Sequence, residues 1–243
     1  MFDVRRSTFQ LFGIMLTAII VAGGSSRRMG FDKTFALLRG EPVVIHSLAA
    51  FEAAACVDEI IVVGREDRVE ELAAIVSARA FRKVRHVIAG GGQRQDSVAA
   101  GLQRIAAEAN FVAVHDAARP LIRPIQIEDV LRAAEKNGAA SMAAPVTDTL
   151  KRATEEGIVC GSVDRERLYA MQTPQIFARD LLTRAYALVA AEQLTITDEV
   201  SAVERLGHTA ALVAGDEPNF KITFSADLAL AESVLRARDP SGR

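Results

Sequence analysis

Apolar positions along the chain follow two alternating patterns. Short, nearly continuous apolar runs recur at 17–21, 58–63, 84–88, 111–114 and 139–146, each the length of a buried strand. Between them, apolar residues return at helical spacing. Val43, Val44, Leu48 and Phe51 share one face of a helix over 42–55, and Val69, Leu72, Ala73 and Val76 one face over 67–80. Further helices are predicted over 96–109 and 124–137, the latter with Pro124 in its first turn and Gly138 just past its end. Strands alternating with helices at this interval predict a mostly parallel sheet covered by helices on both faces. Ligands in such sheets bind beyond the carboxyl ends of the strands. Three polar or glycine-rich loops sit at those ends, at 22–33, 89–97 and 115–120.

The rhythm breaks at 147–171. That stretch carries Lys151, Arg152, Glu155, Glu156, Asp164, Arg165, Glu166 and Arg167 with glycines at 157 and 161, the composition of an arm or hairpin leaving the domain. Apolar residues return at 172–177. Helices follow at 178–191 and 198–206, then late strands at 209–213 and 220–224. A final helix over 228–235 is expected, with Ser225 as its N-cap. The expected architecture is a single Rossmann-like α/β domain over 16–237, with a protruding arm at about 147–171. A loosely ordered extension over 1–15 precedes it and a tail over 238–243 follows.

The richest chemistry lies in the first loop, Ala22-Gly-Gly-Ser-Ser-Arg-Arg-Met-Gly-Phe-Asp-Lys33, directly after the strand Thr17-Ala-Ile-Ile-Val21. Gly23 and Gly24 let the backbone approach a ligand with N–H groups aimed at phosphate oxygens. Arg27, Arg28 and Lys33 add positive charge. The loop suits a polyphosphate, yet it is neither familiar phosphate motif. A P-loop needs Gly-x-x-x-x-Gly-Lys-Ser/Thr, whereas five residues separate Gly24 from Gly30 and Phe31-Asp32 precede Lys33. A dinucleotide fingerprint needs Gly-x-Gly-x-x-Gly, which is absent here.

Composition narrows the classes. The 243 residues allow one large α/β domain, half of them are hydrophobic, and the net charge is −2. Nothing pulls the whole molecule toward nucleic acid or an anionic membrane, so an anion site has to be local. Trp is absent and the two tyrosines stand alone at 169 and 186, which argues against an aromatic nucleic-acid platform. Cys56 and Cys160 do not make a stapled secreted scaffold, and no Cys/His spacing suits zinc. Arg5-Arg6 before the apolar 9–22 mimics a secretory leader. The run is short for a membrane span, and cleavage near Ala22 would remove the first strand, so a cytoplasmic protein is the expectation.

Further motifs follow in order: Gly90-Gly-Gly-Gln-Arg-Gln-Asp-Ser97, His115-Asp-Ala-Ala-Arg-Pro120, Ala144-Pro-Val-Thr-Asp-Thr-Leu-Lys-Arg152, Val163-Asp-Arg165, Gln172-Thr-Pro-Gln175, Thr197-Asp-Glu199 and Asn219-Phe-Lys-Ile-Thr223. With the first loop, they resemble the 2-C-methyl-D-erythritol 4-phosphate cytidylyltransferases of the non-mevalonate isoprenoid pathway, from about Thr17 to Leu235. The resemblance implies an enzyme, a nucleotidyltransferase acting on CTP and methylerythritol 4-phosphate and releasing pyrophosphate. It implies Arg28 and Lys33 as catalytic residues. Ala22, Gly23, Gly24, Gly91, Ser97 and Asp116 would bind the nucleotide, and Arg165, Lys221, Arg119, Thr149 and Thr173 would position the alcohol phosphate. It also implies Mg²⁺, with Asp116 as the metal candidate, and a homodimer in which the arm carries Arg165 to the neighbouring site. Read from the residues alone, Asp116 suits a turn or cap as well as a metal, Arg165 suits a solvated surface, and Thr197-Asp198-Glu199 suits a helix N-cap. Two departures stand out: a short Met29–Lys33 spacing, and Gly92 where the family often has an acidic residue.

Two related families share parts of this pattern. The molybdenum-cofactor nucleotidyltransferases share Arg28-Met-Gly-Phe-Asp-Lys33 but not the motifs at 115–120, 163–165 and 173–174. The ribitol 5-phosphate cytidylyltransferases share most motifs and differ in the polyol pocket. No nucleic-acid or membrane partner is expected for this chain.

Overall fold

The computed structural model describes residues 13–24, 32–215 and 217–239. Its centre is a seven-stranded sheet in the order β11-β7-β10-β6-β1-β4-β5. β1 (Leu16–Ala22), β4 (Glu59–Gly64), β5 (Val84–Ala89) and β6 (Phe111–Asp116) form a parallel block. β10 (Tyr169–Ala178) enters antiparallel between β6 and β7 (Ala139–Pro145), and β11 (Ala211–Ala214) pairs parallel to β7 at the edge. The expected mostly parallel α/β sheet is therefore present, with one reversed strand. β1, β4 and most of β6 are buried, which is why they read as continuous apolar runs rather than alternating ones.

Helices cover both faces. One core gathers Leu16, Ala18, Ile20, Val44, Leu48, Phe51, Ile60, Val62, Leu72 and Ile127 beneath α1 (Val43–Ala53), α2 (Val69–Ser77) and α4 (Pro124–Asn137). The opposite core sets Ile19, Ile61, Val63, Val98, Val114 and Phe177 against α3 (Arg94–Leu102), α5 (Arg179–Ala191) and α6 (Glu199–Glu204). Adjacent β1 residues thus divide between the two cores, as the pleat requires. α4 begins with Pro124 and ends at Gly138, whose φ of 76° is the left-handed C-cap read from sequence. A small hairpin of β2 (Leu37–Leu38) and β3 (Glu41–Pro42) joins the first loop to α1.

Four sequence readings are corrected. The helix expected over 96–109 ends at Leu102, and the chain then turns so that Asn110 Oδ1 accepts the Met15 N–H at 2.7 Å and β6 can start. The helix expected over 67–80 opens with a 3-10 turn, Glu66–Arg68, and ends at Ser77. Residues 220–224 are not a strand. They form an extended strap anchored where the Ile222 N–H donates to the Ala118 carbonyl at 2.8 Å, with Ile222 buried beside Leu38 and Leu121. Ser225 is the first residue of α7 (Ser225–Arg238) rather than its cap. Asp227 ties that end instead, accepting the N–H groups of Thr223 at 2.7 Å and Phe224 at 2.8 Å. The 147–171 excursion is a hairpin of β8 (Leu150–Ala153) and β9 (Val159–Val163), paired outside the main sheet, before β10 begins.

Candidate active site

The strand order places the crevice. From β1 the chain crosses outward to β4 and β5 and then returns to β6 on the other side of β1. The loops after β1 and β6 part at that reversal, where open α/β sheets bind ligands. Val21 of β1 pairs with Asp116 of β6, so the first loop and the Asp116 carboxyl start side by side.

The cleft there has two lobes. One, about 300 Å³, lies along Ala22, Gly23, Gly24, Lys33, Gly92 and Gln93. The other, about 430 Å³, runs along Met171, Gln172, Thr173, Thr197, Asp198 and Ser201. Arg94, Asp116 and Lys221 belong to the walls of both. Volumes of this order hold a small organic ligand.

At the shared wall, Arg94 Nε donates to Asp116 Oδ1 at 2.9 Å, and Lys221 Nζ donates to Oδ2 at 2.8 Å. Arg119 Nε lies 3.9 Å from Oδ2, while its Nη1 donates to the Asn219 carbonyl at 2.9 Å. Burial pushes the Asp116 carboxyl up, but Arg94 and Lys221 outweigh it and hold the group well below the usual carboxylate range. For Arg119 burial prevails, and its pKa is lowered despite the carboxylate nearby. Arg94 also pairs with the buried Glu199 at 2.7 Å, so Arg94, Arg119 and Lys221 face two carboxylates and leave the shared wall a surplus of one positive charge, suited to phosphoryl oxygens.

His115 supports this wall without entering it. Its ring is fully buried, with Nδ1 3.1 Å from Thr173 Oγ1 and Nε2 3.2 Å from the Arg119 carbonyl. The Asp116 N–H donates to Thr173 Oγ1 at 3.0 Å. One assignment satisfies every group: neutral His115 donates from Nε2, Thr173 donates to Nδ1, and the Thr173 oxygen accepts from Asp116. Burial lowers the His115 pKa from 6.5 to about 3. The unfolded chain therefore binds a proton that the folded protein refuses between those values, and stability falls as pH falls through that window. Relative to His115→Gln, the wild-type protein should lose about 2–3 kcal/mol more stability between pH 7 and pH 4.5. Urea unfolding at both pH values measures the difference, and parallel losses would refute the assignment.

The sequence-derived residues divide clearly. Ala22, Gly23, Gly24, Lys33, Asp116, Arg119, Thr173 and Lys221 all line the cleft. Thr34 holds the first loop's exit, donating from Oγ1 to the Ala22 carbonyl at 3.3 Å. Ser97 is buried against Gly90 and Gly23 and does not line either lobe. A Cβ added to Gly90 would fall 2.3 Å from its Oγ and one added to Gly23 3.1 Å, so Ser97 spaces the two glycine loops. Gly91 packs beside Asp96, where an added Cβ would meet that side chain at 2.4 Å. Thr149 and Arg165 are exposed on the arm region and do not line this chain's cleft; Arg165 donates to the Thr147 carbonyl. Arg28, with Arg27, lies outside the described residues.

Sequence reading missed Arg94, Glu199, Tyr186 and Asn219. Asn219 Nδ2 donates to the Thr173 carbonyl at 2.8 Å and to Gln172 Oε1 at 3.1 Å, fixing the strap that carries Lys221. The available signal was positional: Arg94 opens a helix after a glycine loop, and Glu199 follows an N-cap. Asp198 is that cap, accepting the Ser201 N–H at 3.0 Å. Among the described residues, no three His, Cys, Asp or Glu side chains gather as a metal site.

Residues 16–237 match the family model of IspD, 2-C-methyl-D-erythritol 4-phosphate cytidylyltransferase. The chain is 41% identical over 220 residues to the 2-C-methyl-D-erythritol 4-phosphate cytidylyltransferase of Dehalococcoides mccartyi (strain CBDB1), covering 90% of this chain and 95% of that relative. Its fold resembles the 4-diphosphocytidyl-2C-methyl-D-erythritol synthase of Anaerococcus prevotii, with a TM-score of 0.80 at 28% identity over 92% of this chain and 97% of that one. The corresponding cytidylyltransferase of Thermus thermophilus gives a TM-score of 0.75 at 32% identity, over 92% of this chain and all of that one.

Proposed function

The chain belongs to the 2-C-methyl-D-erythritol 4-phosphate cytidylyltransferase family, and from that premise we infer that it transfers CMP from CTP to 2-C-methyl-D-erythritol 4-phosphate. The products are 4-diphosphocytidyl-2-C-methyl-D-erythritol and pyrophosphate, on the route to isoprenoid precursors. The observation that carries the reading is the wall of Arg94, Asp116 and Lys221 common to two lobes. A nucleotide in the glycine-lined lobe and an alcohol phosphate in the other would meet there.

The acceptor's phosphate oxygen attacks the α-phosphorus of CTP, and the bond to the bridging oxygen of the β-phosphate breaks in line. The acceptor phosphate is ionised at neutral pH, so neither a protein nucleophile nor a general base is required. The protein's task is to position reactants and to stabilise charge that spreads over the α-phosphoryl oxygens and the departing pyrophosphate. Arg28 and Lys33 serve the pyrophosphate side. Ala22, Gly23 and Gly24 offer backbone groups to the triphosphate, while Gly91 and Ser97 shape the base and ribose end. Lys221, Arg119 and Thr173 hold the acceptor phosphate within this chain.

Mg²⁺ fits as a partner of the triphosphate. Each Asp116 oxygen accepts from one cation at 2.8–2.9 Å, and a carboxylate keeps further lone pairs for an ion. With a single carboxylate at the wall, Asp116 would give the ion one protein oxygen and the phosphates and water the rest. When bound, the ion neutralises phosphate charge.

The arm completes the reading. Ile158 and Val159, on the hairpin, are 65% and 62% exposed, apolar surface that a second copy would cover. Arg165 and Thr149 do not line the cleft of their own chain, so a homodimer joined through the arm gives them a substrate to hold. No described helix is long and apolar enough to cross a membrane, and a cytoplasmic enzyme acting on two soluble phosphates is the consistent reading. Pyrophosphate release from CTP tests the reaction and its acceptor, with methylerythritol 4-phosphate, ribitol 5-phosphate and molybdopterin offered in turn. Turnover with the first alone is expected, and preference for either rival would reassign the acceptor.

A further inference from the structure

Glu199 is a fully buried carboxylate about which the reaction itself says nothing. It is the first residue of α6, after the Asp198 cap. Arg94 holds it bidentately, Nη1 to Oε1 at 2.7 Å and Nη2 to Oε2 at 2.9 Å. The Tyr186 hydroxyl, from α5, donates to Oε1 at 2.9 Å. Burial and the Glu199 charge both push the Tyr186 pKa up, so the phenol keeps its proton and remains a donor. Each Nη of Arg94 spends one N–H on Glu199, which fixes the plane of the guanidinium, and Nε donates to Asp116. An unbroken chain of hydrogen bonds therefore runs from Tyr186 through Glu199, Arg94 and Asp116 to Lys221, across α5, α6, α3, β6 and the 220–224 strap.

We propose that Glu199, steadied by Tyr186, is a positioning residue for nucleotidyl transfer. It binds both Nη groups of Arg94 and so fixes the guanidinium where Nε meets Asp116 Oδ1 and Oδ2 is left to Lys221, at the wall between the two lobes. A guanidinium released from Glu199 is free to turn, and can then offer two parallel N–H groups to both Asp116 oxygens. Lys221 would then lose its partner and its fixed place. The site's cations would remain, so ground-state attraction for CTP would change little. Their alignment with charge that appears only at the α-phosphoryl group would change more, and misplacement by about 1 Å is costly to turnover. The separation is between an effect on kcat and an effect on KM.

The proposal rests on the cytidylyltransferase reading, and the test keeps the two apart. Full-length Glu199→Gln, Tyr186→Phe, Arg94→Gln and the Arg94→Gln, Glu199→Gln double variant are assayed for pyrophosphate release with CTP and methylerythritol 4-phosphate, and their melting temperatures are compared. Glu199→Gln is expected to lower kcat about tenfold with KM for CTP within about twofold, and Tyr186→Phe to lower kcat about threefold. Because Glu199 acts through Arg94, the double variant should be no slower than Arg94→Gln alone. Wild-type kcat in both Glu199→Gln and Tyr186→Phe, or losses that multiply in the double variant, would overturn the proposal. If Glu199→Gln does not fold, Tyr186→Phe decides, since it keeps every charge. A crystal structure of Tyr186→Phe or Glu199→Gln decides independently of turnover: Arg94 moved toward both Asp116 oxygens supports the proposal, and an unmoved Arg94 and Lys221 refutes it. An inactive wild-type enzyme would sink the functional reading alone.

Discussion

Replacing Lys33 by alanine is expected to lower kcat by about 10² or more while the protein remains folded. Lys33 lines the lobe beside Gly23 and Gly24, and its Cε lies 3.7 Å from where a Gly24 Cβ would stand. The turn that carries it is held independently of the ammonium group. The Thr34 N–H donates to Asp32 Oδ1 at 3.0 Å, the Thr34 hydroxyl holds Ala22, and Arg68 lies over the Phe35 ring at 4.2 Å. Truncation at Lys33 therefore removes a charge from the phosphate lobe and leaves the loop's exit in place. An ammonium group facing a leaving pyrophosphate acts most strongly once the α–β bond has begun to break, so the loss belongs mainly to kcat. Steady-state pyrophosphate release, with circular dichroism as the folding control, measures it. Near wild-type turnover would take Lys33 out of the mechanism and the phosphate loop out of the site.

Much of the scaffold was legible because burial on both sides leaves few alternatives. β1 and β4 are closed over by helices on each face, and residues such as Ile60, Ile61, Val62 and Val63 announce a strand by themselves. Pro124 and Gly138 marked the ends of α4 through backbone constraints that hold in any context. Legibility failed where side chains serve the site rather than the core. β10 contains Gln172, Thr173, Pro174 and Gln175, an unpromising strand, because Thr173 and Gln175 are spent on hydrogen bonds. Gln175 Oε1 accepts the N–H groups of Glu199 and Val200 at 3.1 Å, and its Nε2 donates to Asp198 at 2.9 Å. The 220–224 strap has strand-like residues but joins no sheet among the described residues, and it brings Lys221 to Asp116. The Arg94–Glu199 pair joins residues 105 positions apart. No local pattern couples them, and Glu199 had a sufficient local reading in a helix N-cap, while Arg94 fell before the helix expected from 96. Local consistency identifies the scaffold, whereas departures from it concentrate at the site.

The arm yields the second large effect. Arg165→Ala should raise KM for methylerythritol 4-phosphate by about tenfold or more while leaving CTP affinity within about twofold, since a lost charge-assisted contact to a phosphate is worth about 1.5–3 kcal/mol. Arg165 stands on the segment after β9 and donates to its own chain's Thr147 carbonyl. Neither it nor Thr149 lines the cleft of its own chain. An effect on the alcohol phosphate would therefore point to delivery from another copy. The same geometry predicts complementation. In a mixed dimer of Lys33→Ala and Arg165→Ala subunits, one site combines both lesions and the other has neither. Assayed with methylerythritol 4-phosphate well below its KM, where both parents are slow, random reassortment makes about half the dimers mixed, so about a quarter of wild-type activity should return. Coexpression with two affinity tags isolates the mixed species and raises the expected recovery to about half. Activity no higher than the parents' average would place Arg165 at its own subunit's site or at none. The exposed Ile158 and Val159 on the same hairpin would then need a different partner to cover them.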